Sequence, residues 1–376
     1  MADNVKYPSL NGIRAISILL VIFHHINLYF PVLNGVATYF PIIVDGQFGV
    51  NVFFVISGFL ITGILLREEN KTGTISLKAF YTRRTLRILP AYYVLLLVYL
   101  ALTHFNYIFV SNASWFTTIT FTKYVNWNLD WYTSHAWSLS IEENFYLVWP
   151  FIFLIGKKTR KIFVLFIILL IPLLRMYFYF YPRSWASQLS IFCRLDAIAI
   201  GCAVALYQER ILLVYRRHSK KFFYLSVSLL LLLLFEQELN TTYKIHLSLF
   251  NTAFAGSFGT LTNLLIASIM IHSVFGPEGA WFKLLNSRIL NLIGLWSYSL
   301  YLWQQLFLYK TSLWINQYPL NILLTFGMAI LSYYLVEKPF LALRKNSSQR
   351  AEIKKSTGRN IQVNHTGNGL LYEMPL

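Results

Sequence analysis

The sequence predicts an all-α, polytopic integral membrane protein with about ten transmembrane helices and both termini in the cytoplasm. Three observations predict this class: the composition, ten apolar segments of membrane-spanning length, and an alternation of basic and nearly uncharged connections. Of the 376 residues, 56% are hydrophobic and only 12% are charged. An average soluble domain has about 25% charged residues, so the composition excludes an ordinary soluble enzyme.

Apolar segments of roughly 20 residues, the length of a helix that crosses a bilayer, occur ten times. They lie at 10–32, 48–66, 87–105, 136–156, 162–181, 187–207, 220–236, 251–274, 288–309 and 319–340. The seventh segment is the shortest apolar run. The first is long and contains Arg14, so we expect a retained helix and not a cleaved signal peptide.

The connections between these segments predict the orientation. Lys and Arg cluster after the second, fourth, sixth and eighth segments, whereas the alternate connections carry few of them. By the positive-inside rule the basic connections are cytoplasmic, which places both termini there. The net charge of +17 therefore reflects membrane topology, and nucleic-acid binding is not expected. We expect a membrane domain over 1–341 and a basic, disordered cytoplasmic tail over 342–376.

The first apolar segment, RAISILLVIFHH, carries ionisable side chains at both ends. Arg14 and His25 are eleven residues apart, so they share one helix face within roughly 20° and are separated by about 16 Å of rise. His24 faces elsewhere. Separately, Arg14 could be a topology residue and His25 a packing residue, but the shared face favours a joint functional role.

A second basic group begins the third segment, in TRRTLRILP. Arg84 and Arg87 share a helix face, and Arg14 is expected at the same depth. Guanidinium groups bind phosphates through two parallel hydrogen bonds, so these three arginines could form a phosphate site. Glu337, near the same membrane surface, could neutralise the cluster.

The fourth segment places two adjacent carboxyl groups, Glu142 and Glu143, about two turns from its outer end. By depth they belong with His25. A carboxylate bonded to one imidazole nitrogen makes the other nitrogen a better base, which would make His25 and Glu143 a catalytic pair. The alternative is a charge pair that only joins two helices.

The other polar residues inside the membrane are expected to have mainly structural roles. Asn51 could join the cavity between the helices, and Arg194 and Asp196 are expected to form a buried structural pair. The small residues around Ser57 and Gly58 favour close helix packing. The aromatic stretch 104–135 is either an interfacial belt or a surface on which sugar rings stack.

Seven sequence blocks carry a family resemblance. They are SLNGIRAISILLVIFHH, GVNVFFVISGFLIT, RRTLRILPAYY, HAWSLSIEENFYLVWP, RLDAIAIG, GLWSYSLYLWQ and SYYLVEKP, in this order. Over about residues 7 to 345 the chain resembles the membrane acyltransferase 3 family, which O-acylates bacterial glycans. The resemblance implies a ten-helix enzyme of the bacterial plasma membrane that uses cytoplasmic acyl-CoA, commonly acetyl-CoA, as co-substrate, without a metal.

The resemblance also implies roles for individual residues. His25 and Glu143 correspond to catalytic positions, and Arg14, Arg84 and Arg87 to acyl-CoA-binding positions. Substrate-binding residues are then expected among Glu142, Trp137, Asn51, Tyr298 and Gln304. The family often has aspartate at positions 11 and 51 and histidine near the end of the ninth helix, where this chain has Asn11, Asn51, Gln304 and Gln305. The sequence resembles the form without an appended hydrolase-like domain.

The predicted function is an O-acyltransferase that moves an acetyl group from acetyl-CoA to a hydroxyl of a cell-surface or lipid-linked carbohydrate. In this hypothesis the three arginines hold the phosphates, and His25 deprotonates the acceptor. A covalent acyl relay through Ser57 or His25 is a variant of it. The alternative from another class is a transporter or flippase of a lipid-linked sugar. The acceptor glycan and the oligomeric state are left open.

Overall fold

A computed structural model describes residues 7–30, 45–125, 130–181, 190–243 and 248–343. Within these ranges the chain forms helices joined by short connections, without a β-strand, as the all-α prediction requires. The predicted tail, 342–376, lies outside the described residues from position 344 onward.

Thirteen α-helices form the described part of the chain. They are α1 (Leu10–Tyr29), α2 (Gly46–Thr72), α3 (Leu77–His104), α4 (Asn112–Ile119), α5 (Trp131–Ser134), α6 (Ala136–Ile155), α7 (Lys157–Phe180), α8 (Leu195–Leu206), α9 (Gln208–Tyr243), α10 (Ser248–Phe275), α11 (Ala280–Leu285), α12 (Arg288–Phe307) and α13 (Leu320–Ser332). Short 3-10 turns lie at Lys123–Val125, Ser190–Arg194 and Trp314–Asn316, and a π-helical turn, Tyr333–Glu337, extends α13.

Seven helices among the described residues are long and apolar enough to cross a membrane. An eighth is present if Phe192–Leu206 and Gln208–Ser219, which meet at a bend of 84°, count as one span. Helix α9 is kinked at His218, whose backbone angles are not helical, and its second part contains Lys221–Phe235, which is apolar but shorter. Helix α12 carries polar residues at Asn291, Gln304 and Gln305. The structure therefore supports a polytopic membrane protein, whereas the count of ten stays a prediction.

Glycine allows two helices to cross at backbone contact in the middle of the bundle. A Cβ atom at Gly58 of α2 would lie 2.0 Å from the carbonyl oxygen of Ile198, and one at Gly201 of α8 would lie 2.1 Å from that of Val55. Only glycine permits such an approach. The expected role of Gly58 in close helix packing is confirmed.

The first basic connection shows how one end of the bundle is closed. Helix α2 ends at Gly73, whose φ of +77° is the left-handed conformation typical of a glycine cap. Glu68 then pairs with Arg83 at 2.7 Å, and Glu69 pairs with Arg160 at the start of α7 at 2.8 Å. We call this the basic end.

The aromatic segment 104–135 lies at the other end of the bundle, the opposite end. It contains α4, the turn Lys123–Val125 and α5; residues 126–129 are outside the described ranges. Phe105, Phe109 and Phe116 project away from the bundle and are 67%, 75% and 67% exposed. Trp131 instead turns inward and contacts the ring of His25 edge-on.

Candidate functional site

The predicted phosphate-binding residues meet at a narrow cavity inside the bundle, which we call the arginine cavity. Its volume is about 80 Å³, room for a few water molecules. It is lined by Arg14 of α1, Ser57 of α2, Arg84 and Arg87 of α3, Glu142 of α6, and Tyr298 and Tyr301 of α12. Residues from five helices that are far apart in the sequence thus converge on one space.

Arg84 is the most heavily engaged of the three arginines. Its guanidinium lies 3.5 Å from a carboxylate oxygen of Glu143 and 3.9 Å from one of Glu142. It also stacks 3.6 Å from the ring centre of Tyr146. The Ser57 hydroxyl donates to Glu142 at 2.7 Å. Arg84 therefore holds two carboxylates in place. Its guanidinium has fewer N–H groups left to bind a phosphate.

Arg14 has no such partner. Among the residues that the structure describes, none forms an ion pair or hydrogen bond with its guanidinium, and its Nε atom is buried without an acceptor. Glu142 and Glu337 attract it electrostatically. A buried donor without a partner is unfavourable, so this guanidinium is the one best prepared to bind an anionic ligand.

Glu337 lies at the end of the π-helical turn that extends α13. Its carboxylate accepts a hydrogen bond from the Ser299 hydroxyl of α12, and Ser299 also contacts Ser332 at 3.1 Å. Arg87 and Arg14 are within electrostatic range of it. This placement agrees with the expectation that Glu337 offsets the arginine charges.

His25 lies beyond the arginine cavity, toward the opposite end. Its Nδ1 atom is 3.2 Å from the amide oxygen of Gln304, and Trp131 covers the ring at a centroid distance of 5.3 Å. With Nδ1 donating to Gln304, the lone pair of Nε2 is available as a base.

The predicted contact between Glu143 and His25 must be corrected. Glu143 is directed to Arg84 instead, because the long guanidinium side chain of Arg84 reaches both carboxyl groups of α6. Helix α12 supplies the partner of His25. The two predicted catalytic residues therefore belong to separate polar groups, one around Arg84 and one around Gln304.

Helix α12 links these two groups through a row of side chains that winds by about 120° around the helix. Tyr298, Tyr301 and Gln304 follow each other at intervals of three residues, so they span about 9 Å of rise on neighbouring positions. Tyr298 donates to the carbonyl of Ile88 at 2.9 Å, and Tyr301 contacts Ser138 at 2.6 Å. This row leads from the arginine cavity to His25.

A second buried histidine extends the polar group at the opposite end. His135 is 3% exposed, and its Nδ1 atom lies 2.7 Å from the amide oxygen of Gln305. Ser134 shares the Gln305 amide, and the Trp131 indole donates to the Gln305 carbonyl at 2.8 Å. The sequence alone assigned no role to His135 and marked Gln305 only as a departure from the family pattern; the position of His135 at the start of an apolar helix, in HAW, was the available signal.

A buried ion pair holds the turn that carries Trp131. Lys123 is fully buried, and its ammonium contacts the Ser114 hydroxyl at 2.7 Å and the Asp130 carboxylate at 3.5 Å. Burial lowers the pKa of the Lys123 ammonium, and Asp130 opposes this shift. Asp130 in turn caps α5 by accepting from the Thr133 amide at 3.1 Å. These contacts hold the start of α5 in place, so Trp131 meets His25 in a defined position.

The predicted pair between Arg194 and Asp196 is also corrected. Asp196 is bonded to Arg175 of α7 at 2.8 Å and accepts from Thr260 of α10 at 2.6 Å. Arg194 instead donates to Asn51 at 3.1 Å and to Gln47. The two residues lie on either side of the junction between a 3-10 turn and α8, so their side chains leave the chain in different directions.

Trp137 stands beside these residues. The Arg194 guanidinium lies 5.3 Å from its ring centre, and Phe54 of the arginine cavity packs edge-on against it at 6.1 Å. Trp137 and Asn51, two of the predicted substrate-binding residues, therefore lie together, next to Arg194.

Comparison with known proteins now identifies the family. The model of the family described as "Acyltransferase domain" matches residues 7–337, a stretch that runs from the start of the described residues to Glu337. The chain belongs to this acyltransferase family. All residues of the arginine cavity, and His25, Gln304 and Glu143, lie inside the matched stretch of the acyltransferase domain.

Two curated relatives are similar to this chain over most of its length. The peptidoglycan O-acetyltransferase OatA of Listeria monocytogenes is 29% identical over 91% of this chain and 56% of its own. The O-acetyltransferase OatA of Staphylococcus aureus is 30% identical over 92% of this chain and 60% of its own. This chain thus spans less than two thirds of the length of these relatives. No solved structure matches it.

Proposed function

We propose that this protein is an integral membrane O-acyltransferase that moves an acetyl group from acetyl-CoA to a hydroxyl of a glycan. One observation carries the proposal: Arg14, whose guanidinium has no ion-pair or hydrogen-bond partner among the described residues, lines a cavity from which α12 leads to an oriented histidine, His25. Membership of the acyltransferase family supports the reaction class. The O-acetyltransferase names of both relatives support acetyl as the group transferred.

The donor site is assigned to the arginine cavity. Arg14 binds a phosphate of acetyl-CoA, and Arg87 and Arg84 add positive charge beside it. The arm that carries the thioester then follows α1 toward His25, over the rise of about 16 Å that separates the two residues on that helix. The cavity of about 80 Å³ is too small to enclose the donor, so side chains must move apart when it binds.

The chemical step is assigned to His25. Its Nε2 accepts the proton of an acceptor hydroxyl while the oxygen attacks the acetyl carbon. The C–S bond then breaks, the CoA sulfur leaves as a thiolate, and the imidazolium returns the proton to it. Gln304 holds the imidazole through Nδ1. In the covalent variant the acetyl group first passes to Ser57, whose hydroxyl already donates to the carboxylate of Glu142.

For the acceptor we propose a glycan of the peptidoglycan type. The support is the name of the Listeria relative, a peptidoglycan O-acetyltransferase. Trp137 and Asn51 lie toward the opposite end, and Gln304 contacts His25 there. The acceptor is expected to approach from that end, whereas acetyl-CoA enters from the basic end.

For the membrane topology we propose ten spans with both termini in the cytoplasm of a bacterium, in its plasma membrane. The ion pairs of Glu68 and Glu69 with Arg83 and Arg160 would then lie at the cytoplasmic surface. Labelling of single cysteines introduced at positions 71 and 107 tests this. We expect position 107 to react with an impermeant maleimide in intact cells and position 71 to react only after lysis; the reverse pattern would contradict the topology.

Labelled acetyl-CoA given to the purified protein tests the reaction itself. With a peptidoglycan disaccharide as acceptor we expect an acetylated disaccharide and stoichiometric release of CoA. The competing function is a flippase of a lipid-linked sugar, which has the same basic end and external aromatics. Movement of the glycan between membrane leaflets without acetyl transfer would favour the flippase and refute the acyltransferase.

A further inference from the structure

A second and larger cavity opens at the opposite end of the bundle. Its volume is about 400 Å³, within the range of roughly 300–1,000 Å³ that is usual for small-molecule sites. The first turns of α2, the end of α7, the 3-10 turn before α8, Leu234 of α9 and the middle of α10 line it. We call it the amide pocket, after the side chains of Gln47 and Asn51 that lie against Arg194.

The polar groups of the amide pocket are held in place. Arg194 donates to the amide oxygens of Asn51, at 3.1 Å, and Gln47, so its partners are neutral. The nearby carboxylate of Asp196 is used by Arg175 and Thr260. Asp45, which also lines the pocket, caps α2 by accepting from the Phe48 amide at 2.9 Å. The pocket thus offers fixed donors and fixed acceptors side by side.

Aromatic side chains form the remaining walls. Phe48, Phe178, Tyr179 and Phe258 line the pocket together with the polar groups. A pyranose ring has the matching chemistry, because its C–H faces are apolar and pack on aromatic rings, whereas its hydroxyl edge both donates and accepts hydrogen bonds. A fatty acyl chain would leave the guanidinium and the carboxylate facing hydrocarbon.

The amide pocket adjoins the arginine cavity. Successive turns of α2 line the two: Gln47, Phe48 and Asn51 face the amide pocket, and Phe53, Phe54 and Ser57 face the arginine cavity. Trp137 lies between them, with Arg194 on one side at 5.3 Å and Phe54 on the other at 6.1 Å. A ligand in the amide pocket would therefore lie within about one helix turn of the donor site.

The geometry points to the amide pocket as a binding subsite for a pyranose ring of the acceptor glycan. Arg194, Gln47, Asn51 and Asp45 hold its hydroxyl edge, and the aromatic walls pack on its faces. Arg194 is therefore a substrate-binding residue as well as a structural one. This inference rests on the proposed acyl transfer to a glycan and assigns the place where the sugar is held.

Kinetics of the full chain in nanodiscs, with the peptidoglycan disaccharide as probe, test the subsite. We expect Gln47→Ala and Tyr179→Ala each to raise the KM for the disaccharide by about tenfold or more, since each removes a side chain that lines the pocket and would contact the sugar. The Kd for acetyl-CoA, measured separately, should stay within about twofold. Tyr177→Ala is the matched control, because Tyr177 precedes Tyr179 on α7 but does not line the pocket.

The outcomes separate the two proposals. If the wild-type protein acetylates the disaccharide and both variants keep its KM, the subsite is refuted and the acyltransferase stands. If the wild-type protein binds the disaccharide, loses this binding in the two variants, and transfers no acetyl group, the subsite stands and the acyltransferase is refuted. An equal loss of acetyl-CoA affinity in the variants would assign the pocket to the donor and refute the sugar subsite.

Discussion

The Nδ1 atom of His25 lies 3.2 Å from the amide oxygen of Gln304. The partner of the central imidazole is thus a neutral amide from α12, and not a carboxylate from α6. An amide oxygen orients the ring and selects the tautomer, but it does not stabilise an imidazolium as strongly as a carboxylate would. Orientation is therefore the main contribution that Gln304 makes to His25.

The first prediction concerns this pair. His25→Ala should lower kcat for acetyl transfer by about 10²–10⁴-fold, the usual contribution of a general base. Gln304→Ala should lower kcat only about 5-fold, because one neutral hydrogen bond contributes about 1 kcal/mol. Steady-state kinetics with labelled acetyl-CoA measure both values.

His24→Ala is the control for this pair. Its ring packs against Gly46 at the start of α2 and meets the His25 ring edge-on at 5.3 Å, but the proton transfer is assigned to His25. At equal membrane abundance, transfer should therefore fall far less than in His25→Ala. Acetylation retained in His25→Ala would contradict the assigned base. A loss in Gln304→Ala as large as in His25→Ala would mean that Gln304 does more than orient the ring.

The second prediction concerns the donor site. Arg14→Ala should weaken acetyl-CoA binding by about 10–100-fold, since hydrogen bonds to a charged group contribute roughly 1.5–3 kcal/mol. Equilibrium binding of labelled acetyl-CoA to the purified protein measures it. Arg67→Ala is a matched arginine variant at the basic end, where Arg67 donates to the Tyr7 hydroxyl at 2.8 Å and does not line the arginine cavity. Equal affinities of the two variants for acetyl-CoA would refute the assignment of Arg14 as a phosphate-binding residue.

The third prediction compares two adjacent arginines. Arg84→Ala should destabilise the protein by roughly 3–5 kcal/mol, because the carboxylates of Glu142 and Glu143 would remain buried without their cation. Arg83→Ala should cost at most about 1 kcal/mol, since its pair with Glu68 is at the surface. Thermal unfolding in detergent measures the difference. If Arg84→Ala is no less stable than Arg83→Ala, the ion cluster does not support the bundle.

The fourth prediction concerns the crossing of α2 and α8. Gly201→Ala should lower the unfolding temperature and the amount of folded protein, because its Cβ would lie 2.1 Å from the backbone oxygen of Val55. Gly327→Ala in α13 is the control, since its Cβ would meet nothing within 4 Å and alanine favours a helix. Equal thermal stability of the two variants would show that the helices can separate without cost.

The sequence predicted the elements well where a long apolar segment dominates. The helices α1, α2, α3 and α7 lie on predicted segments because apolar length alone specifies a membrane helix. The helices after α7 were predicted less well. The predicted sixth segment, 187–207, becomes a 3-10 turn and the short helix α8, followed by an 84° bend, since bends depend on what the neighbouring helices leave room for.

The candidate site was predicted in part. The gathering of Arg14, Arg84 and Arg87 at one cavity agrees with the sequence-based expectation. Glu142 and Tyr298, which were expected to bind the acceptor, line the same cavity. The pairings were predicted less well: Glu143 was expected at His25 and lies at Arg84, and Asp196 was expected at Arg194 and lies at Arg175. Periodicity states which face of a helix a residue occupies, but not which helix meets that face.

By itself, the sequence determined the all-α membrane class, the acyltransferase resemblance, and the shared face of Arg14 and His25, because these follow from composition, motif order and helix period. Only the tertiary structure decided the partners: Gln304 for His25, two glutamates for Arg84, and two amides for Arg194. The physical reason is that a buried polar group binds whichever complementary group the packing of other helices brings within about 3 Å. Those helices lie up to 279 residues away in the chain.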